Sequence, residues 1–253
     1  MVRSKVGLTV LVALAAVFAA LVGPAEASST ASADPCAAPL PQGSEPLTLD
    51  PANFVGTIDN AYWPMTPGSR WIYQETDRRG HVKRVRVQVT DRTKSIVGVT
   101  ATVVHDTLSN NGSVLEDTWD WYAQDVCGNI WYLGEDTKEF KSGQVVSTEG
   151  SWETGVDGAQ AGVALPATPA VGQTYRQEYY AGQAEDSGSI LSVTEQDRVP
   201  YGHFSNVVLT HDSTTLEPRV LEYKFYAQGV GPVEEIGISG GADRTELLKF
   251  TAG

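Results

Sequence analysis

The stretch WYAQDVCGNIWYLGE (Trp121–Glu135) decides the fold, because a second, weaker copy of it follows later in the chain. The copy reads FYAQGVGPVEEIG (Phe225–Gly237) and lies at an offset of 104 positions. Both copies keep an aromatic run, an Ala-Gln pair and a turn, which is what two packed strands and a tight connection require. Aromatic residues coincide in and just before the two stretches: Trp119 with Tyr223, Trp121 with Phe225 and Tyr122 with Tyr226.

Two further segments repeat in the same order. VVHDT (Val103–Thr107) matches VLTHDST (Val208–Thr214), and Gly68 of PGSRWIYQE matches Gly172 of VGQTYRQEY. Several matches in order at nearly constant spacing indicate an internal duplication. The prediction divides the folded part of the chain into a first β repeat at 58–148, a Gly/Ala-rich bridge at 149–164 and a second β repeat at 165–253.

Both repeats carry the alternating pattern of β-strands. VKRVRVQVTD (82–91) alternates apolar and polar residues, and Asn111-Gly112 is a strong hairpin signal. No helical periodicity of useful length follows the N-terminal segment. Each repeat of about five strands would leave an unprotected edge. We therefore predict an all-β fold in which the duplicated antiparallel strands form one barrel, or one strongly curved sheet or sandwich, with little helix.

The N-terminus has the pattern of an export signal. Arg3 and Lys5 precede an uncharged apolar run at 6–22, and small-residue cleavage patterns end at Ala27 and Ala33. We predict a signal peptide at 1–27, with cleavage as late as 33, followed by a Pro/Ser-rich arm at 28–57. The mature protein is then expected to be secreted and extracellular, with no membrane span after cleavage.

The charge and the cysteines narrow the partners and the compartment. The formal net charge of −13 disfavours nucleic acid as a partner, because phosphate binding requires neutralising cations. The chain has two cysteines, Cys36 and Cys127, and in an exported protein they most simply form one disulfide. That bond would attach the arm to the turn inside the first stretch.

Three motifs suggest chemistry that their context does not support. Gly237-Ile-Ser-Gly-Gly241 fits the nucleophile elbow of hydrolases, but neither a helix pattern nor a histidine follows it, so a hairpin turn is predicted. The pairs His105-Asp106 and His211-Asp212 recur in both repeats, yet adjacent strand residues point to opposite faces and cannot easily share a ligand. We expect neither a metal nor a cofactor.

Carboxylates surround the aromatic residues of the first stretch, as they do in many sugar-binding sites. The alternation of strand residues offers a structural explanation, in which aromatic side chains point inward and acids outward. On that interpretation Trp119 and Trp121 face the core, and Thr118, Asp120 and Tyr122 face solvent.

Five segments together resemble a family of exported, uncharacterised actinobacterial proteins. They are YWPMTPGSRWIYQE, WYAQDVCGNIWYLGED, GSWETGVDGAQAGVALPA, VGQTYRQEYYAGQAED and TTLEPRVLEYKFYAQGVG, and they cover nearly all of the predicted mature chain. The resemblance implies export and carries no activity with it. Candidate ligand-binding residues in or beside loops of these segments are Trp152, Asp157, Glu178, Glu217 and Glu222.

Three functional hypotheses remain open from the sequence. The leading one is a non-enzymatic binding protein for a small apolar or amphiphilic ligand, or for a cell-envelope component, because a closed curved sheet can enclose an apolar cavity. A second is an extracellular carbohydrate hydrolase with a carboxylate pair drawn from Glu178, Glu217 and Glu222. A third is a protein-interaction module that uses the acidic surface.

Overall fold

The computed structural model describes residues 35–240 and 243–253. The predicted signal peptide and both cleavage positions, Ala27 and Ala33, lie outside the described residues. Two short 3-10 helices, Pro35–Ala37 and Pro51–Asn53, are the helical elements of the described part. No helix in these ranges is long and apolar enough to cross a membrane.

Sixteen β-strands make up most of the described chain. They are β1 Phe54–Val55, β2 Arg70–Thr76, β3 Val82–Ile96, β4 Val99–Asn110, β5 Ser113–Asp125, β6 Ile130–Lys141, β7 Gln144–Ser147, β8 Trp152–Glu153, β9 Gln160–Leu165, β10 Thr174–Arg176, β11 Glu178–Tyr179, β12 Asp186–Val199, β13 Gly202–Thr214, β14 Leu221–Ala227, β15 Gly231–Ser239 and β16 Arg244–Thr251. The predicted Asn111-Gly112 turn joins β4 to β5, with the left-handed φ values of 49° and 83° that a tight hairpin needs.

The strands form one antiparallel sheet that is nearly closed, like a barrel. Its order is β10-β12-β13-β14-β15-β16-β2-β3-β4-β5-β6-β9-β11, with β1 beside β5 and with β7 and β8 beside β6. The end strands β10 and β11 follow each other in the chain, separated by Gln177. Gly162 on β9 permits this closure, because a Cβ there would lie 2.4 Å from the Arg176 carbonyl oxygen.

The pairing register between neighbouring strands is the same in the two sequence repeats. Thr102 pairs with Tyr122 across β4 and β5, and Val208 pairs with Tyr226 across β13 and β14. The first repeat supplies β2 to β6, and β9 adds a sixth strand beside β6. The second supplies β10 and β11 as one interrupted strand, then β12 to β15, with β16 beside β15. The predicted all-β, internally duplicated fold is confirmed, and the segment 149–164 contains β8 and most of β9.

The predicted exposure of Asp120 and Tyr122 on β5 is wrong. Both line the interior together with Lys224 and Tyr226 from the opposite half. Trp119 and Trp121 lie on the other face of β5, where Trp121 is 7% exposed and belongs to the hydrophobic core, as predicted. There His105 stacks on Trp119 at 3.9 Å between ring centroids, and the Lys94 ammonium lies 3.2 Å from the Trp121 ring centroid. The alternation of residue types shows that the two faces of a strand differ, but it does not show which face lies inside. A long side chain can cover an aromatic ring, so an aromatic residue need not point into the cavity.

The N-terminal arm is fixed to both halves. The predicted disulfide is present: Cys36 and Cys127 are joined, with their Cα atoms 5.4 Å apart. Further along the arm, β1 pairs with β5. The Arg176 guanidinium, from the second half, donates to the carbonyl oxygens of Gly43 and Glu45. A disulfide of this kind fits an extracellular location.

Replacement of both cysteines by serine should lower the free energy of unfolding by about 2–4 kcal/mol. The disulfide spans a sequence separation of 91, and a bond that closes so long a loop restricts the unfolded chain. Denaturant unfolding of the Cys36→Ser/Cys127→Ser variant measures the loss, and reduced wild-type protein should unfold at the same midpoint. An unchanged midpoint in both samples would contradict the prediction.

Candidate functional site

The interior of the barrel-like sheet contains two adjoining chambers. The first has a volume of 270 Å³ and lies between β2 to β5 and β14 to β16. The second has a volume of 250 Å³ and lies beside β6, β9, β11 and β12. Trp63, Tyr122, Lys224 and Tyr226 line both chambers. We call the two chambers together the inner cavity.

Aromatic rings form the boundary between the chambers. Trp63 lies between Tyr122 and Tyr226, with centroid distances of 5.3 Å and 5.8 Å. Tyr122 also stacks on Tyr132, with centroids 4.9 Å apart. The two tyrosines that flank Trp63 are the matched pair of the duplicated stretch, so the duplication places one ring from each half at the centre of the cavity. Trp63 belongs to neither matched strand and enters from the segment before β2.

The second chamber is lined by carboxyl groups that are partly or fully buried. Desolvation by burial, together with the neighbouring carboxyls, raises the pKa of Glu135 to about 9 and that of Glu178 to about 8. At Asp120, which borders the first chamber, burial raises the pKa to about 6, while a hydrogen bond from the Tyr132 hydroxyl at 2.7 Å opposes the rise. Such shifts cluster at functional sites because burial of a charge is costly.

Lys224 supplies a positive charge inside the inner cavity. Its Nζ lies 3.1 Å from Asp212 Oδ2 and 3.8 Å from Glu235 Oε2. Burial disfavours the ammonium form, but the nearby carboxylates outweigh burial and raise the pKa of Lys224 well above its usual value. Lys224 occupies the position of the second repeat that Asp120 occupies in the first. The two halves therefore present opposite charges at equivalent places.

Two of the predicted site residues come together at the second chamber. Trp152 is 4% exposed and donates from Nε1 to Glu178 Oε2 at 2.8 Å. Gly134 makes this approach possible, because a Cβ there would lie 2.3 Å from the Trp152 carbonyl oxygen. Trp152 also packs edge-on against Tyr132, with centroids 5.4 Å apart.

The other three predicted residues lie elsewhere. Asp157 is exposed in the turn between β8 and β9, with a left-handed φ of 50°. Glu217 is exposed in the connection between β13 and β14. Glu222 is half-buried on β14 and acts electrostatically on Lys224 and Glu235. Of the three carboxyls from which a hydrolase pair was predicted, Glu178 lines the second chamber, whereas Glu217 and Glu222 line neither chamber.

Sequence reasoning missed most of the residues that line the inner cavity. The sequence matches Tyr122 with Tyr226 but predicts that Tyr122 faces solvent. Glu135 belongs to the carboxylates that surround the aromatic residues of the first stretch, whereas Lys224 gives no signal beyond its place in an alternating strand. The usable signal was the match of aromatic residues across the duplication, because equivalent residues of two facing halves can meet at the centre.

The motifs of the sequence have structural roles. His105 lies on the outer face, where Nε2 contacts Asp117 at 2.8 Å, whereas Asp106 lines the first chamber. Ser239 ends β15 and donates to the Arg219 carbonyl oxygen; Gly241, the end of the motif, lies outside the described residues. No group of three or more His, Cys, Asp or Glu side chains within 35–240 and 243–253 could hold a metal ion.

Two solved structures resemble the fold at low sequence identity. A protein from Bacteroides fragilis, designated as exported and as having a YmcC-like fold, is 14% identical with a TM-score of 0.42 over 76% of this chain and all of its own. A protein from Parabacteroides distasonis, designated as a lipoprotein, is 11% identical with a TM-score of 0.41 over 76% of this chain and 99% of its own. No family model and no curated protein matches the chain.

Proposed function

We propose that the chain is a secreted, non-enzymatic binding protein that holds a small amphiphilic ligand in the inner cavity. The ligand is either a free small molecule or part of a cell-envelope component. One observation carries the proposal: facing aromatic rings and buried ionisable groups surround the same interior space.

Size and composition support binding of a small molecule. The chambers have volumes of 270 Å³ and 250 Å³ and share one wall. Ligand pockets usually have volumes of about 300–1,000 Å³, so the inner cavity suits a small ligand. Trp63, Tyr122 and Tyr226 offer apolar ring surface with hydroxyl or indole groups at the edges. A purely structural core would avoid buried carboxyls such as Glu178, since these reduce stability when ionised.

Ligand binding can be tested with a variant that fills the second chamber. Ala164 lines this chamber, and a phenylalanine there would occupy ligand space while every ionisable group is kept. We expect wild-type protein to bind the neutral fluorophore N-phenyl-1-naphthylamine one to one, and Ala164→Phe to bind it roughly tenfold more weakly. The exposed control Ala181→Phe should bind like wild type.

Native mass spectrometry of protein secreted from its host provides a second measurement. A retained small molecule should appear as a discrete mass addition that denaturation removes. Circular dichroism confirms that each variant is folded. Folded wild-type protein that retains no molecule and binds no fluorophore would overturn the proposal, as would equal fluorophore binding by Ala164→Phe.

A further inference from the structure

The second chamber has more acidic than basic groups in its wall. Glu135, Glu178 and Asp186 line it, and Lys224 is the one cation among the described lining residues. The Lys224 ammonium is already engaged by Asp212 at 3.1 Å, on the side of β13. The three chamber carboxyls therefore share this cation with Asp212.

One buried carboxylate oxygen beside this chamber, Asp212 Oδ1, has no hydrogen-bond partner among the described residues. Asp212 is 5% exposed, and its Oδ2 accepts from Gln177 and pairs with the Lys224 ammonium. Gln177 and Lys224 both line the chamber. Glu178 uses Oε2 to accept from Trp152 Nε1. Burial and neighbouring carboxyls raise the pKa of Glu135. The donors Lys224 and Gln177 are thus engaged by Asp212, and the chamber wall is rich in carboxyl acceptors.

Aromatic faces complete the surroundings of these acceptors. Trp63, Tyr122, Tyr132 and Tyr226 line the same chamber. Aromatic faces attract organic cations through the ring quadrupole, and the attraction grows when the cation is desolvated. A neutral ligand would use the rings alone, whereas an ammonium ion would use the rings and would also pair with the chamber carboxyls, whose ionised forms it favours.

We infer that the ligand of the inner cavity is a small organic ammonium ion, whose charged nitrogen lies near Glu135 and Glu178 and whose apolar part packs against Trp63, Tyr122 and Tyr226. This inference rests on the proposed function and names its ligand class. An anionic ligand is disfavoured, because its charge would lie beside three carboxyls and compete with Asp212 for Lys224.

Cation binding should be linked to proton release. Burial raises the pKa of Glu178 to about 8 and that of Glu135 to about 9, so both carboxyls are largely protonated at pH 6. An ammonium ion favours their ionised forms, and its affinity should therefore rise between pH 6 and pH 9. Titratable groups that face these two carboxyls from the surrounding strands are Glu116, Asp120, Tyr122, Tyr132, Asp186 and Lys224.

The inference can be tested with three probes of nearly equal shape. They are 2-phenylethylamine, 2-phenylethanol and phenylacetate, which at pH 7.5 carry a positive charge, no charge and a negative charge. Calorimetric titration of the full secreted protein should show the amine binding roughly tenfold or more tightly than the alcohol, with the acid weakest. Phenyltrimethylammonium, whose charge does not titrate, should bind more tightly at pH 8.5 than at pH 6.

Charge-neutral variants locate the cation. Glu178→Gln and Glu135→Gln should each weaken amine binding roughly fivefold to tenfold and leave alcohol binding nearly unchanged. The exposed Glu149→Gln, which lies outside the lining of both chambers, is the matched control and should bind all probes like wild type. Binding of N-phenyl-1-naphthylamine confirms that each variant keeps its cavity.

The outcomes separate the inference from the proposed function. If N-phenyl-1-naphthylamine binds but 2-phenylethanol or phenylacetate binds as tightly as 2-phenylethylamine, the ligand is not an ammonium ion. The proposed binding function then stands. Equal loss of amine and alcohol binding in Glu178→Gln and Glu135→Gln also overturns the class. If no probe binds folded wild-type protein, the inference and the proposed function both fail.

Discussion

Replacing Arg176 with methionine is expected to lower the free energy of unfolding by about 3 kcal/mol. Arg176 is 1% exposed, and its guanidinium donates to the arm at the carbonyl oxygens of Gly43 and Glu45. It also donates to the buried carbonyl oxygen of Ala161 on β9. Methionine keeps the apolar stem but has no donor, so the Ala161 oxygen would lose this charged partner inside the protein.

Denaturant unfolding measures the effect of Arg176→Met. Arg84→Met is the matched control, because Arg84 is exposed on β3 and the same exchange there should change stability by less than about 0.5 kcal/mol. Limited proteolysis should cut the Arg176→Met variant faster within 41–49, since the arm loses its contacts with the second half. Equal midpoints for the two variants would show that the disulfide and β1 hold the arm without the guanidinium.

The sequence predicted the fold because the duplication and the strand pattern agree. Aromatic residues match between the repeats at an offset of 104, and the pairing of Tyr122 with Thr102 recurs as the pairing of Tyr226 with Val208. Local alternation identified the strands, and the repeat supplied the long-range information that single strands lack. The disulfide was predictable for a simpler reason, since two exported cysteines allow one pairing.

The site was less predictable because it depends on which face of the sheet lies inside. Alternation along β5 separates Trp119 and Trp121 from Asp120 and Tyr122 but does not orient them. Lys94 lies over the Trp121 ring and His105 stacks on Trp119, so both rings are covered on the face of β5 opposite Asp120. Those contacts are made by residues of β3 and β4, so the sequence of β5 alone does not predict them.

A position in or beside a loop identified some of the residues that line the inner cavity but not others. Glu178 follows the interruption at Gln177, and closure of the sheet turns it into the cavity wall beside Trp152. Glu217 lies in the proline-containing connection between β13 and β14 and is exposed. The difference arises from closure between β9 and β11, a contact between two sheet edges that no short segment encodes.

The free energy of unfolding is expected to fall by several kcal/mol between pH 5 and pH 9. In the folded protein the pKa values of Asp120, Glu178 and Glu135 are raised to about 6, 8 and 9, mainly by burial. The folded state keeps protons that the unfolded chain releases near pH 4, so this stabilisation is complete below pH 4 and is lost as pH rises through the folded values. Asp77, whose pKa is lowered to about 2, acts in the opposite direction but only below that window.

Glutamine at these positions should remove the pH dependence and leave the fold intact. Glu135→Gln and Glu178→Gln resemble the protonated wild type, so at pH 5 each should unfold at nearly the wild-type midpoint. At pH 9 each should be more stable than wild type by roughly 2 kcal/mol, because an amide needs no desolvation of charge. Denaturant unfolding at pH 5, 7 and 9 measures the slopes, with the exposed Glu217→Gln as the control that should keep the wild-type slope. If the variants lose stability equally at pH 5 and pH 9, the carboxyls are structural hydrogen-bond partners and not the uncompensated acids that an ammonium ligand would neutralise.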